Sequence, residues 1–313
     1  MDRKTESCTK VTISGEIGSG KSTVSEFLAS SLGAKRLSTG AIQREMAAER
    51  GMGLLDFNLL SEHNPELDAE IDKHTAALHG SPERIVVDSR MAWYFLPESV
   101  KVLLIVDPAI AAARVIGDLR RVGSEDHRDL AAAKADIIAR RESEVKRFKA
   151  LYGVDCSDLR NFDLVIDTSF ATPLEVVSAI EHYISNDCGK ARECWLAPKR
   201  LFPTQHVRDL LQDSEQEISA KGGVERMSSG APIQVMSFNE WFFILNGHKR
   251  TSAALRGRLP LIKAEISQRK GDEVLPGLSV AEYLHDHCHQ SWIYDWEDCH
   301  GFRFFEYPEA VCQ

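Results

Sequence analysis

The chain has 313 residues, 43% of them hydrophobic, with 38 Lys and Arg against 47 Asp and Glu, a net charge of −9 at pH 7 and a pI near 5.7. That length is more than one core usually holds, so two domains are expected, and the acidic balance argues against a general nucleic-acid binder. No apolar run approaches a membrane span, the start MDRKTESCTK lacks the hydrophobic core of a signal peptide, and the seven scattered cysteines contain no C-x-x-C; together these fit a reducing cytoplasm better than a disulfide framework.

In chain order, strands and helices alternate first. Val11–Ser14 is a short β-rich run and Lys21–Ser31 follows as a helix. Ser38–Arg50 has helical composition behind a Ser/Thr start suited to a cap, and Pro65–Leu78 continues in the same way. The apolar runs Ile85–Asp88 and Lys101–Asp107 read as buried parallel strands. Ala109–Arg121 and Asp129–Tyr152 are helical, Leu164–Asp167 is the last strand of the series and Pro173–Ile184 its last helix. This order predicts an α/β domain over residues 1–187, a parallel sheet with helices on both faces. Residues 188–198 have no clear period and read as a linker. Residues 199–313 form a second, smaller α+β domain. It has a helix near Val207–Ala220, a Gly/Ser-rich loop at 221–231, and strands in PIQVMS, Trp241–Leu245 and LPLIKAEI.

The stretch GEIGSGKS matches G-x-x-x-x-G-K-[ST] between a strand and a helix. Glycines let successive backbone N–H groups turn inward around a phosphate, and the helix N-terminus adds partial positive charge. Gly15, Gly18, Ser19, Gly20, Lys21, Ser22 and Thr23 therefore form the candidate nucleotide cradle. Lys21 reaches toward the terminal phosphates, and the Ser22 hydroxyl can ligate Mg²⁺. The ligand expected is ATP with Mg²⁺. A second strand–turn–helix, FFILNGHKRTSAALRG, places Gly247 in the turn with His248 and Arg250 where the helix opens, an arrangement that suits an anion. A structural turn with its His packed under the sheet is the alternative. In the tail, His285, His287, Cys288, His289, Cys299 and His300 match no zinc spacing. Trp292, Tyr294 and Trp296 alternate as in an edge strand.

Four further stretches follow the first loop at fixed intervals: LSTGAIQREMAAERGM, NPELDAEIDKH, IVVDSRMAW and RRESEVKRFKALYGVD. From about residue 9 to 185 the chain resembles the compact, archaeal-type cytidylate kinases of the nucleoside-monophosphate kinase family. The resemblance implies a P-loop sheet and transfer of phosphate to a small-molecule acceptor. By position it implies that Ser38 and Arg44 border the acceptor, that Arg44 and Arg90 both grip its phosphate, and that Asp155 lies on the acceptor side. Arg141 and Arg147 would follow a lid that carries Arg120 and Arg121, and Asp88 would hold a Mg²⁺-bound water. Phosphoryl transfer needs two anions held in line, which explains the arginine density. Arg140 and Glu144, four apart, read equally well as a surface ion pair. Two departures stand in the acceptor region. Gln43 replaces the family's aromatic residue, and Asp88–Ser89–Arg90 replaces its E-G-R. These leave CMP, dCMP, a modified cytidylate or a non-nucleoside phosphate open as acceptor.

Residues 199–266 resemble the small-molecule-kinase branch of the ParB/sulfiredoxin fold through LFPTQHV, APIQVMS and ILNGHKRTSAAL. The two carboxylates of that branch fall at Gln205 and Asn246, and an amide neither takes a proton at neutral pH nor binds Mg²⁺ as an anion. A binding role for a nucleotide or phosphorylated metabolite is therefore expected of this half. Two other readings stay open: a nucleotide-gated binding protein with weak ATPase activity, and a bifunctional kinase acting on a non-nucleoside metabolite.

Overall fold

The structure, a computed structural model, describes residues 10–53, 60, 65–117, 130–186, 191–208, 231–267, 273–275 and 277–308. The chain divides into two units, Met1–Arg192 and Glu193–Gln313. Among the described residues no helix is long and apolar enough to cross a membrane. Arg120 and Arg121, most of the expected helix near Val207–Ala220 and nearly all of the 221–231 loop lie outside the described residues.

The first unit is built on five parallel strands: β1 (Lys10–Gly15), β2 (Lys35–Ser38), β3 (Ile85–Asp88), β4 (Val100–Ile105) and β5 (Leu164–Asp167). Their order is β2-β3-β1-β4-β5. Every residue of β1, β3 and β5 is buried. Successive strand residues point to opposite faces, so both faces of the sheet are covered. The helices are α1 (Lys21–Leu32), α2 (Thr39–Glu49), α3 (Pro65–Ala76), the short α4 (Ala92–Phe95), α5 (Pro108–Gly117), α6 (Leu130–Tyr152) and α7 (Pro173–Asn186). Strand β2 has no counterpart in the sequence reading, which began the second helix at Ser38. Its four residues are exposed or half-buried, so no apolar run announces it. Ser38 does occupy the N-cap of α2, but its side chain makes no capping bond. An apolar cluster of Val106, Ala111, Ala112, Val115, Ala133 and Ile137 joins α5 to α6.

This strand order sends the chain to one side of β1 through β2 and β3, and to the other through β4 and β5. In open parallel sheets the crevice beyond the carboxyl ends at such a reversal is where ligands bind. Gly15, Asp88 and Ile105 end the three central strands at that point.

The second unit has a mixed sheet of β6 (Glu193–Leu196), β7 (Leu201–Phe202), β8 (Ile233–Phe238), β9 (Trp241–Asn246) and β10 (Ile262–Ile266), ordered β6-β10-β8-β9-β7. β10 runs antiparallel to β6 and parallel to β8, while β8 and β9 are antiparallel. A small pair, β11 (Glu273–Leu275) and β12 (Leu278–Ser279), precedes helices α9 (Val280–His287) and α10 (Gln290–His300); α8 (His248–Arg256) follows β9. Trp195, Phe202, Phe243 and Trp296 are wholly buried.

Two expectations are corrected here. Residues 193–196, read as part of a linker, form β6, because Cys194, Trp195 and Leu196 are all buried and Trp195 Nε1 donates to Glu193 Oε2 at 2.8 Å. Trp292, Tyr294 and Trp296 lie on helix α10 and not on an edge strand. Its buried side chains are Ile293, Trp296 and Glu297, at helical spacing, while Tyr294 is exposed. Among the described residues no group of three His, Cys, Asp or Glu is placed to hold a metal. Cys156 and Cys299 are thiols, and Cys288 is disulfide-bonded.

Candidate active site

At Gly15 and Gly18, the start and middle of the loop between β1 and α1, a larger residue would displace its neighbours. A Cβ on Gly15 would stand 2.8 Å from the Leu104 carbonyl oxygen. One on Gly18 would meet the Ala111 backbone at 2.8 Å, and Gly18 also holds a left-handed φ of +77°. Gly20 shares that φ and caps α1. Ser19 is buried, its hydroxyl donating to the Glu16 carbonyl at 2.7 Å, which pulls the loop closed on itself. From α5, Arg114 donates to the carbonyls of Gly18 at 3.0 Å, Thr168 at 2.7 Å and Ser169 at 3.2 Å. One guanidinium thus ties the loop to the end of β5. Burial lowers its pKa, and the nearby Asp167 opposes the shift.

Three groups converge on Asp88, itself only 3% exposed. Lys21 Nζ lies 3.1 Å from Oδ1, the Ser22 hydroxyl donates to Oδ2 at 3.1 Å, and Arg36 Nη2 donates to Oδ2 at 3.2 Å. Register explains the meeting: Asp88 stands opposite Ile13 of β1 and Ser38 of β2, level with the loop that leaves β1. Thr39 Oγ1 donates to the Asp88 carbonyl at 3.3 Å and fixes the start of α2 there. Thr23 is half-buried on the first turn of α1.

On the other side of the crevice, the Arg90 guanidinium pairs with Glu144 of α6, and Arg141 pairs with Glu16 at 3.0 Å. Arg90 is held from behind, its carbonyl accepting bonds from Ser14 Oγ and Trp93 Nε1, each at 3.0 Å. Burial first, then the Arg140 charge, lowers the Arg90 pKa to about 10, while Cys156 and Glu16 oppose that shift. The group remains cationic at neutral pH. A cavity of about 50 Å³ is lined by Gly15, Glu16, Arg90, Arg141 and Glu144, among others. A smaller one, of about 20 Å³, shares Glu16, Arg90 and Arg141. The glycine loop and two arginines therefore border one space. Glu144, for which a surface pair with Arg140 was one of two open readings, pairs with Arg90 across the crevice.

The remaining residues are less concentrated. Arg147 sits 4.9 Å over the Phe148 ring and lies close enough to Arg90 to repel its charge. Arg44 is exposed on α2, behind Ser38. The Asp155 carboxylate accepts from the Ser157 amide at 2.9 Å and the Ser157 hydroxyl at 2.6 Å, closing a local turn. Glu16, Arg36, Arg114 and the Glu144 contact were not anticipated. Arg36 and Arg114 carry no motif, and each contacts residues at least 50 positions away.

In the second unit, Gly247 takes φ 111°, and a Cβ there would strike Ile233 at 2.5 Å. His248 turns inward. It is 3% exposed, its Nε2 accepts from the Thr204 amide at 3.0 Å, and burial alone lowers its pKa to about 4. Arg250 donates to the carbonyls of Ala231 and Pro232. Both side chains contact the protein's own backbone, the arrangement of the structural-turn alternative for His248. Gln205 and Asn246 are exposed.

A model described as the cytidylate kinase-like family matches residues 10–170. The cytidylate kinase of Sulfurisphaera tokodaii is 35% identical over 175 residues, covering 56% of this chain and 94% of that protein. That of Methanothermobacter thermautotrophicus is 33% identical over 159 residues, covering 51% and 94%. That of Aeropyrum pernix is 40% identical over 157 residues, covering 50% and 88%. The matched region contains the whole of the glycine loop, Asp88, Arg90 and the Glu144 and Arg141 contacts, and the chain belongs to the cytidylate kinase-like family.

Proposed function

We propose that the protein transfers a phosphoryl group from ATP to a CMP- or dCMP-like monophosphate. The observation that carries this reading is the convergence of Lys21 and Ser22 on Asp88 beside a glycine-shaped loop, with Arg90 and Arg141 facing that loop across one cavity. The donor triphosphate is held by the loop's backbone N–H groups and by Lys21. The Ser22 hydroxyl and the Asp88 carboxylate are hard oxygen donors 3.1 Å apart, a set suited to Mg²⁺, directly or through water. When bound, Mg²⁺ supplies charge neutralisation between the donor phosphates.

The acceptor phosphate is gripped by Arg90 and Arg141. Their present partners, Glu144 and Glu16, are carboxylates, which stand where acceptor oxygens would be recognised and preset the guanidinium orientation. No strong general base is needed, because charge spread over the moving phosphoryl group is met by cations already in place. Ser38 at the cap of α2 and Arg44 behind it border the acceptor. Of the two departures from the family pattern, Ser89 is buried and accepts from the Met91 amide at 3.3 Å, so it serves the turn. Gln43 is half-buried on α2 and is the residue best placed to alter acceptor choice. For the second unit, a binding rather than a catalytic role is the reading we carry forward, because amides stand at Gln205 and Asn246 where the branch it resembles has carboxylates.

Incubation with ATP, Mg²⁺ and a panel of CMP, dCMP, UMP, AMP and serine tests the reading. Phosphate gain by CMP or dCMP is expected, and Lys21→Ala should lower turnover by at least about 10²–10³-fold. Full turnover in that variant would place the chemistry outside the glycine loop.

A further inference from the structure

Donor binding creates an electrostatic difficulty at Asp88. Its carboxylate is almost wholly buried, and Lys21 provides one of its two cations. A phosphate in the glycine loop draws Lys21 away, and a buried carboxylate that loses a directly paired side-chain cation is destabilised unless another stays in contact while Mg²⁺ enters with the donor. Arg36 is the other cation. It lies on β2 two residues before Ser38, hence on the same face of the strand, and Ser38 stands abreast of Asp88. Its Nε donates to Ser25 Oγ at 2.8 Å and its Nη2 to Asp88 Oδ2 at 3.2 Å. Ser25 is fully buried, and its hydroxyl donates in turn to the Ser22 carbonyl at 2.9 Å. One planar fork therefore spans from Ser25 of α1 to the end of β3.

The two carboxylate oxygens have different partners. Oδ2 is held by Ser22 and Arg36, while Oδ1 faces Lys21. Departure of Lys21 vacates Oδ1 alone, and the pinned Oδ2 keeps the carboxylate from rotating. We propose that Arg36 is a positioning residue for donor binding, which neutralises and orients Asp88 while Lys21 changes partner from carboxylate to phosphate. Without Arg36, Asp88 would compete for Lys21 against the donor. The proposal rests on the reading that Lys21 takes the donor phosphate. Lysine at position 36 could pair with Asp88 but could not also fork to Ser25 with fixed geometry.

The test measures ATP affinity in Mg²⁺ by calorimetry for the wild type, Arg36→Leu, Arg36→Lys, Asp88→Asn and the double variant Asp88→Asn/Arg36→Leu, together with steady-state constants for the single Arg36 variants. Arg36→Leu should weaken ATP about 10-fold and leave the acceptor KM unchanged, and Arg36→Lys should recover part of the loss. In the Asp88→Asn background, where no charge remains to be neutralised, the same change should move ATP affinity by less than about 2-fold. Wild-type affinity in Arg36→Leu, or an equal loss with and without Asp88, overturns the proposal. Should Arg36→Leu fail to fold, wild-type affinity in Arg36→Lys with no coupling to Asp88→Asn overturns it equally. Lys21→Ala separates the two claims: unchanged ATP affinity there defeats the donor-site reading itself, whereas a loss there with no Arg36 effect defeats only this inference.

Discussion

Gly18 and Gly20 share a φ of +77°, yet replacing each with alanine should have unequal consequences. For Gly20 a new Cβ meets nothing within 4 Å, so only the left-handed backbone penalty applies, about 1–2 kcal/mol. For Gly18 the same penalty is joined by contacts of 2.8, 2.9 and 2.9 Å to Ala111 Cα, Cβ and O. Two of those three atoms are helix backbone, held by the α5–α6 cluster, and cannot rotate away. Overpacking of this kind costs about 1–3 kcal/mol more, for a total of about 2–5 kcal/mol. Urea unfolding of the two variants, with slopes compared as well as midpoints, reads the difference directly. Adding Ala111→Gly to Gly18→Ala should recover less than half the deficit, since only the Cβ contact is relieved. Equal destabilisation of the two single variants, or full recovery in the double, would refute the claim that α5 is the wall against which the loop is formed.

Arg114→Ala strips a charged donor from the Gly18, Thr168 and Ser169 carbonyls, and a loss of about 2–3 kcal/mol with a raised ATP KM is expected. Arg114→Lys should not restore either quantity, because an ammonium cannot reproduce the fork; full restoration would reduce Arg114 to a charge. His248 makes the stability of the second unit pH-dependent. Its pKa falls from 6.5 to about 4 on folding, so the unfolded chain binds the extra proton between those values. The resulting stability is complete above pH 6.5 and is lost as the pH falls toward 4, by up to about 3 kcal/mol. Denaturation at pH 7 and 4.5 should show this loss in the wild type and a smaller one in His248→Asn; identical pH curves would mean the ring is not buried neutral.

The donor loop was legible because its chemistry is local. Gly15, Gly20, Lys21 and Ser22 lie within eight residues, and the strand before them and helix after them have their own periodicity. Apolar runs such as Ile85–Asp88 likewise declared buried parallel strands, since residues that meet helices on both faces need no alternation. Arg90 and Arg141 entered through resemblance, and their arrangement around one cavity became visible only with α6 in place.

Sequence alone determined the glycine loop, the strand–helix alternation of the first unit and the turn at Gly247, because each depends on backbone preferences and contacts within a few residues. Tertiary structure decided that Arg36 and Lys21 share Asp88, that Glu144 answers Arg90, and that Arg114 braces Gly18, because strand register and helix docking set those meetings between segments that are 50 or more positions apart. It also decided which way His248 faces. A G-H-x-R turn specifies where the helix begins, while the Thr204 amide and the core beneath the sheet determine whether the imidazole points to solvent or inward.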